Sequence, residues 1–216
     1  MNLPAMDTTH LLALAAALGW ASGLRLYAVV FITGLAGYLG WIPLPAGLHL
    51  LQQPAVLIAS GAMLVIEFLA DKIPLVDSLW DTIHTVIRIP AGAALAAGVF
   101  GADQSSWALI AALAGGTLAA TAHTAKATTR AAVNTSPEPF SNIGVSLVED
   151  GLVVGALWLA YEQPVWFFVA LAVVLVLSVV LIVILARFLR LLIGKLRGRG
   201  RAPAASTPAA PASPAT

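Results

Sequence analysis

The chain has no cysteine, which excludes disulfides, thiolate catalysis and cysteine-ligated metals together. It is also poor in charge, with ten acidic and eleven basic residues among 216, or 10% of the whole, where soluble domains carry roughly 25%. It lacks a glycine-rich phosphate loop, an HExxH pair and a G-x-S-x-G elbow, so no common hydrolase or nucleotide signature applies. The first seven residues, Met1 to Asp7, contain no basic n-region, and no signal-peptide processing is expected. The net charge of +1 says little as a total, and no nucleic-acid partner is expected.

What is present is apolar. Mean hydropathy is +0.93, and several uncharged stretches reach the roughly 20 residues that a helix needs to cross a hydrocarbon core. Val165 to Ala186 has no charge, and neither has Leu26 to Ile66, which is long enough for two spans joined around Trp41 to Pro54. The expectation is an all-α polytopic membrane protein with about six spans, near 22–41, 54–71, 89–102, 105–122, 141–161 and 164–187. Residues 1–9 form a leading segment, 10–190 the helical domain, and 191–216 a basic and then Ala/Pro-rich tail expected to be disordered. His10 to Trp20 is too short to cross alone, and Gly19, Ser22 and Gly23 suggest a break, hence a half-helix or kinked extension. The third span is short because Arg88 and Asp103 close it in, so it is expected to continue a preceding amphipathic segment, with Pro90 at the junction.

Orientation follows from Lys and Arg. Lys72, Arg88, Lys126, Arg130 and the six basic residues from Arg187 to Arg201 fall on one side, while loops 42–53, 103–106 and 161–164 have none. A multi-pass protein of a bacterial cytoplasmic membrane is expected, with both termini and the charged loops in the cytoplasm. Six spans also divide into two antiparallel halves of three, an inverted-repeat architecture common in transporters.

The ionisable residues are clustered, and inside a membrane such a cluster marks a functional site. Asp77, Asp81, His84 and Arg88 stand at i, i+4, i+7 and i+11 and form one helical stripe. One reading lays this amphipathic segment in the cytoplasmic interface with Trp80 as an anchor. The other turns the stripe inward, as a re-entrant segment, against Glu67 and Asp71. There Glu67, Asp71, Asp77, Asp81 and His84 could hold a hard divalent cation or relay protons, and Arg88 would neutralise the acids when no cation is bound. Glu67 lies well inside the second span, with Arg25 or Lys72 as its structural counter-charge. Glu149 and Asp150 lie at mid-membrane depth in the fifth span, and adjacent carboxylates diverge by about 100° on a helix, so at most one is expected at any site. His123, Lys126 and Arg130 form a basic stripe, suited to anionic lipid headgroups or to a bound phosphate or carboxylate. The small residues Ala94, Ala96, Ala97, Gly98, Gly115 and Gly116 permit close helix packing, within one chain or between copies in a homo-oligomer.

The run from Glu67 through Asp71-Lys72, Asp77, Asp81 and His84 to Arg88 resembles the signature of a bacterial membrane-protein family, the domain-of-unknown-function 4126 family. Ser22-Gly-Leu-Arg-Leu-Tyr27, Gly92-Ala-Ala-Leu95 and the stretch Thr121 to Asp150 resemble its pattern too, so that the likeness covers roughly 10–190. It implies a membrane fold and no particular activity. A weaker likeness is to six-span cation exchangers, whose inverted halves each carry Glu-x-Gly-Asp-Lys/Arg-Ser/Thr. Here Glu67-Phe-Leu-Ala-Asp71-Lys72 has an extra residue between its acids, and Ala for Gly.

The leading functional expectation is a transporter, for a divalent cation with proton coupling. Glu67, Asp71, Glu149 and Asp150 would be ligands or proton sites, and Asp77, Asp81 and His84 a cytoplasmic gate. The alternatives are a metal-dependent lipid-active protein (headgroup enzyme or flippase) whose His123, Lys126 and Arg130 hold a headgroup, and a non-catalytic membrane scaffold.

Overall fold

A computed structural model describes residues 6–73, 76–135 and 139–199. Expectations for the leading residues 1–5, the Pro74 and Pro137 turns and the tail from Gly200 lie outside them. Six α-helices follow in order: α1 (Thr8–Tyr38), α2 (Pro54–Ala70), α3 (Val76–Phe100), α4 (Ser105–Val133), α5 (Pro139–Glu162) and α6 (Pro164–Arg199). A short 3-10 segment, Ala46–Gln52, precedes α2 and meets it at 67°. Five helices are long and apolar enough to cross a membrane, or six spans if that bent pair is one. Lipid-length apolar faces are left bare, as on α6, where Val165, Trp166, Val173, Val176, Val180 and Ile184 are exposed.

Helix α1 is not one straight rod. Asp7 caps its start by accepting from the His10 amide at 2.9 Å, but Arg25 leaves the helical region at φ −145°, ψ 82°. The two arms fold back on each other. Leu12, Ala15 and Ala16 line a pocket with Phe100, Trp107 and Phe168 at one end of the bundle. Beyond the break, Gly34 and Gly37 return to that same end, against Leu51 and Leu44. Arg25 is thus the apex of a hairpin whose arms are each roughly 20–25 Å long, short of the ~30 Å hydrocarbon core. The expected break is real, but it falls at Arg25 rather than at Gly19 to Gly23. Those small residues serve close packing instead.

The turn-back corrects the expected topology. The Thr8 end of α1 lies with the 39–53 segment, opposite the charged turns after α2 and α4 and opposite the far end of α6, so the two ends of the described chain are not on one side. The short third span does continue the amphipathic segment, as expected. Residues 76–100 form a single helix running through Pro90, because an internal proline removes one main-chain bond and leaves the rest of the ladder intact. The last element also runs on: α6 continues to Arg199, past the expected start of the tail.

The first arm of α1 packs tightly against α3 and α4. A Cβ at Gly19 would stand 2.5 Å from Gly115 Cα, one at Gly115 would stand 2.4 Å from Ala96 Cβ, and one at Gly92 would stand 2.7 Å from Ala119 Cβ. Close approach of small residues is how apolar helices associate where lipid competes for every larger side chain. On α5, by contrast, Gly151 and Gly155 have open space around them. Gly19→Leu should therefore lower unfolding stability by at least the 1–3 kcal/mol typical of overpacking. Gly155→Ala should stay within about 0.5 kcal/mol of the parent. Thermal unfolding of the two variants in detergent measures the difference.

Candidate functional site

The α1 hairpin brings its apex to the ionisable side chains of every other inner helix. Arg25 and Arg88 are fully buried at 0% exposure, Arg130 is at 1% and Lys126 at 2%, and around them lie Glu67, Asp71, Asp77, Asp81 and Glu149, none above 5%. Buried charges persist only when paired and hydrogen-bonded, and the pairing here is dense. Arg88 donates to Glu67 Oε1 and to Asp81 Oδ1, both at 2.6 Å. Arg25 Nη2 lies 3.1 Å from Asp71 Oδ2 and donates to Ser146 Oγ at 2.6 Å, while its Nε stands 2.9 Å from Asp150 Oδ1. Arg130 donates to Glu149 Oε2 at 2.9 Å and to the Asp71 carbonyl at 2.9 Å. Lys126 donates to Asp71 Oδ2 at 2.9 Å and to the Leu24 carbonyl at 3.2 Å, a carbonyl in the last turn before the α1 break.

The stripe Asp77, Asp81, His84 and Arg88 faces inward, all four being buried. Its opposite face (Leu79, Ile83, Val86) is exposed, as suits a helix with lipid outside and charge inside. Glu67 takes its counter-charge from Arg88 on that stripe, not from Arg25 or Lys72. Glu149 and Asp150 both join the network, against the expectation of one, because the Arg25 guanidinium is wide enough to lie 2.9 Å from Asp150 and 4.0 Å from Glu149. His123, Lys126 and Arg130 are buried, with Lys126 and Arg130 turned to the chain's own carboxylates and His123 to Thr85 and Arg88, so of the readings left open the stripe takes the charge-balancing one and does not face lipid headgroups. Lys72 stays at the rim, donating to the Phe68 carbonyl at 3.1 Å with its ammonium over the Phe68 ring.

The expected metal set of Glu67, Asp71, Asp77, Asp81 and His84 does not converge. No group of three or more such side chains among the described residues is placed to hold a metal ion. The carboxylates are drawn to cations and amides instead, Glu67 and Asp81 to Arg88 and Asp71 to Arg25 and Lys126. Asp77 is held by the Asn134 amide at 3.0 and 3.2 Å. His84 turns away from the acids: its Nδ1 donates to the Trp80 carbonyl at 2.8 Å, which leaves Nε2 to accept from Tyr27 O–H at 3.1 Å. His123 is fixed in the other tautomer. Thr85 gives its one proton to the Asp81 carbonyl, so His123 Nε2 must donate to Thr85 Oγ1 at 2.7 Å, and Nδ1 accepts from Arg88 at 3.3 Å.

Sequence reasoning passed over Ser146 and Asn142. Ser146 lies three and four positions before Glu149 and Asp150, on their face of α5, and that spacing was the available signal. Asn142 links the two ends of the network: its amide donates to Asn134 Oδ1 at 2.8 Å, and its carbonyl accepts from Arg130 at 3.2 Å.

Asp71 is in the turn beyond α2. Burial alone would raise its carboxyl, but Lys126, Arg25 and Arg130 outweigh burial and hold it below the usual carboxylate value. A depressed carboxylate contributes stability that is present above the unfolded-state pKa, near 3.9, and is lost as pH falls through the lower native value. Stability should therefore decline below about pH 4 in the parent, and less steeply in Asp71→Asn. Arg88→Met strands two buried carboxylates and should cost about 3–5 kcal/mol, with most of it recovered when Glu67→Gln and Asp81→Asn are added. Detergent unfolding curves read both effects.

The fold and the site together define a polytopic helical membrane protein with an ion-pair network buried at the break of α1. The family described as Domain of unknown function (DUF4126) matches residues 12–184, and the chain belongs to that family. A search of the curated proteins returns no match, and neither does one of the solved structures.

Proposed function

We propose that this protein is a membrane transporter for a cation, coupled to protons, and that the buried ionic network lies on its translocation path. The observation that carries the reading is the network at the apex of the broken helix. Four buried bases (Arg25, Arg88, Lys126, Arg130) stand there against five buried carboxylates (Glu67, Asp71, Asp77, Asp81, Glu149). Broken helices with freed carbonyls are a recurring way to place an ion site inside a membrane, and the excess of one carboxylate favours a cationic cargo. The two halves of the bundle, α1–α3 and α4–α6, are joined by ion pairs such as Asp71–Lys126, Asp81–Lys126 and Arg25–Asp150. Such bonds lock a closed state, and the substrate must replace them for the halves to part. The positive-inside rule puts the charged turns in the cytoplasm of a bacterial cell and the Thr8 end of α1 on the far side.

A lipid-active role has one observation in its favour. A groove of about 540 Å³ between α4, α5 and α6 reaches Lys126 and Glu149 between apolar walls of Trp20, Val174 and Leu181. A headgroup there would still have to displace the carboxylates that already hold Lys126 and Arg130, which keeps this reading second.

Cation uptake into proteoliposomes, with cation- and pH-sensitive dyes trapped inside, tests the proposal. Cation-driven proton movement should be present in the parent and reduced at least tenfold in folded Glu67→Gln. Absence of flux across monovalent and divalent panels, with folded protein, would sink it and bring lipid chemistry forward.

A further inference from the structure

The Lys126 ammonium has the surroundings of a bound ion. Four oxygens from four separate elements lie 2.9–3.4 Å from Nζ: Asp71 Oδ2 beyond α2, the Leu24 carbonyl of α1, Glu149 Oε2 of α5 and Asp81 Oδ1 of α3. A lysine ammonium has three protons to give, so the shell offers more oxygen than this residue needs. Asp71 and Asp81, at 0% and 3% exposure, each keep a second buried oxygen with no donor in reach, Oδ1 and Oδ2 respectively. The spacing is that of an ammonium. Magnesium needs about 2.0–2.1 Å and calcium about 2.3–2.6 Å, which agrees with the absence of a ready-made metal cage among the described residues.

We infer that Asp71, Asp81, Glu149 and the Leu24 carbonyl form a site for a monovalent, ammonium-sized cation, and that the Lys126 side chain is its built-in occupant. The exchange is a displacement in which no covalent bond changes. The arriving cation sheds water and takes the four oxygens, while the Lys126 ammonium swings aside. The groove between α4, α5 and α6 borders both Lys126 and Glu149 and gives that side chain room, with Thr129, Ser141 and Ser178 along it. When the cargo leaves, Lys126 returns, so the empty protein does not leave Asp71, Asp81 and Glu149 one cation short in a low-dielectric interior. A tethered surrogate of this kind lets an empty carrier reorient. Without it, only the loaded form can cross.

The transport half of this inference rests on the function proposed above; the binding half does not. The test is thermal unfolding of purified Lys126→Met in detergent, in potassium, ammonium or magnesium chloride against N-methylglucamine chloride at equal ionic strength. Potassium and ammonium should give saturable stabilisation of several degrees in Lys126→Met. They should give much less in the parent, where the cation must displace the Lys126 ammonium, and in Lys126→Met/Glu149→Gln, which lacks one of the ligands and keeps only the parent's excess of one carboxylate. If Lys126→Met unfolds during purification, ammonium or potassium in the buffers should recover folded protein where N-methylglucamine does not. No rescue and no stabilisation overturns the site, as does a preference for magnesium. In proteoliposomes Lys126→Met should lose net uptake at least tenfold while keeping exchange of labelled potassium for potassium. Equal loss of both, beside a normal parent, overturns the surrogate role and leaves the transporter standing. Stabilisation of Lys126→Met beside a parent with no flux leaves the site standing and removes the transporter.

Discussion

Everything in this bundle answers to the expense of placing charge away from water. Each uncompensated ion in a protein interior costs several kcal/mol, and nine charged side chains among the described residues are buried together in mutual pairing. No side chain in the network is free to move independently, because each carboxylate oxygen that finds a cation does so at the expense of another pairing. Asp71 Oδ2 alone lies within 3.7 Å of Arg25, Lys126 and Arg130. Such a cluster holds one arrangement firmly and, if a competing ion arrives, can pass to a second as a unit.

The backbone around the network is shaped to serve it. Arg25 leaves helical geometry where its guanidinium must meet Asp71 and Asp150 from two different helices, and the carbonyl freed at Leu24 is satisfied by Lys126. A helix interrupted within lipid survives only where such partners replace the lost main-chain bonds. The small residues Gly19, Gly92, Gly115 and Ala119 then allow the first arm of α1 to lie against α3 and α4 at near backbone contact. Without that approach, Arg25 would stop short of the acids.

Much of the fold was legible along the chain. Apolar length alone placed α2, α4, α5 and α6 to within a few residues at their outer ends, since the bilayer imposes its own thickness on any span. The stripe Asp77–Arg88 was legible as one helical face, but its direction was not: an interfacial helix and an inward-facing one share the same spacing. The same ambiguity left His123, Lys126 and Arg130 open between lipid headgroups and a bound anion, where Lys126 and Arg130 meet the chain's own carboxylates. Helical periodicity says which residues share a side and nothing of what that side meets. The third span was legible as a continuation of the amphipathic segment, and burial beside Glu67 and Asp81 is what lets Arg88 stand inside that one helix.

By itself the sequence determined that this is a helical membrane protein, that many of its few ionisable residues recur at helical spacing in a short stretch, and which family it belongs to. Those conclusions depend on composition and spacing, which are properties of the linear chain. Tertiary structure alone decided that α1 folds back at Arg25, that acids and bases meet as a paired network instead of a metal cage, and that Lys126 occupies an oxygen shell drawn from four elements. The reason is physical. Pairings such as Arg25 with Ser146 or Lys126 with Leu24 join residues more than a hundred positions apart. Their energies depend on distance and burial, which no local pattern encodes.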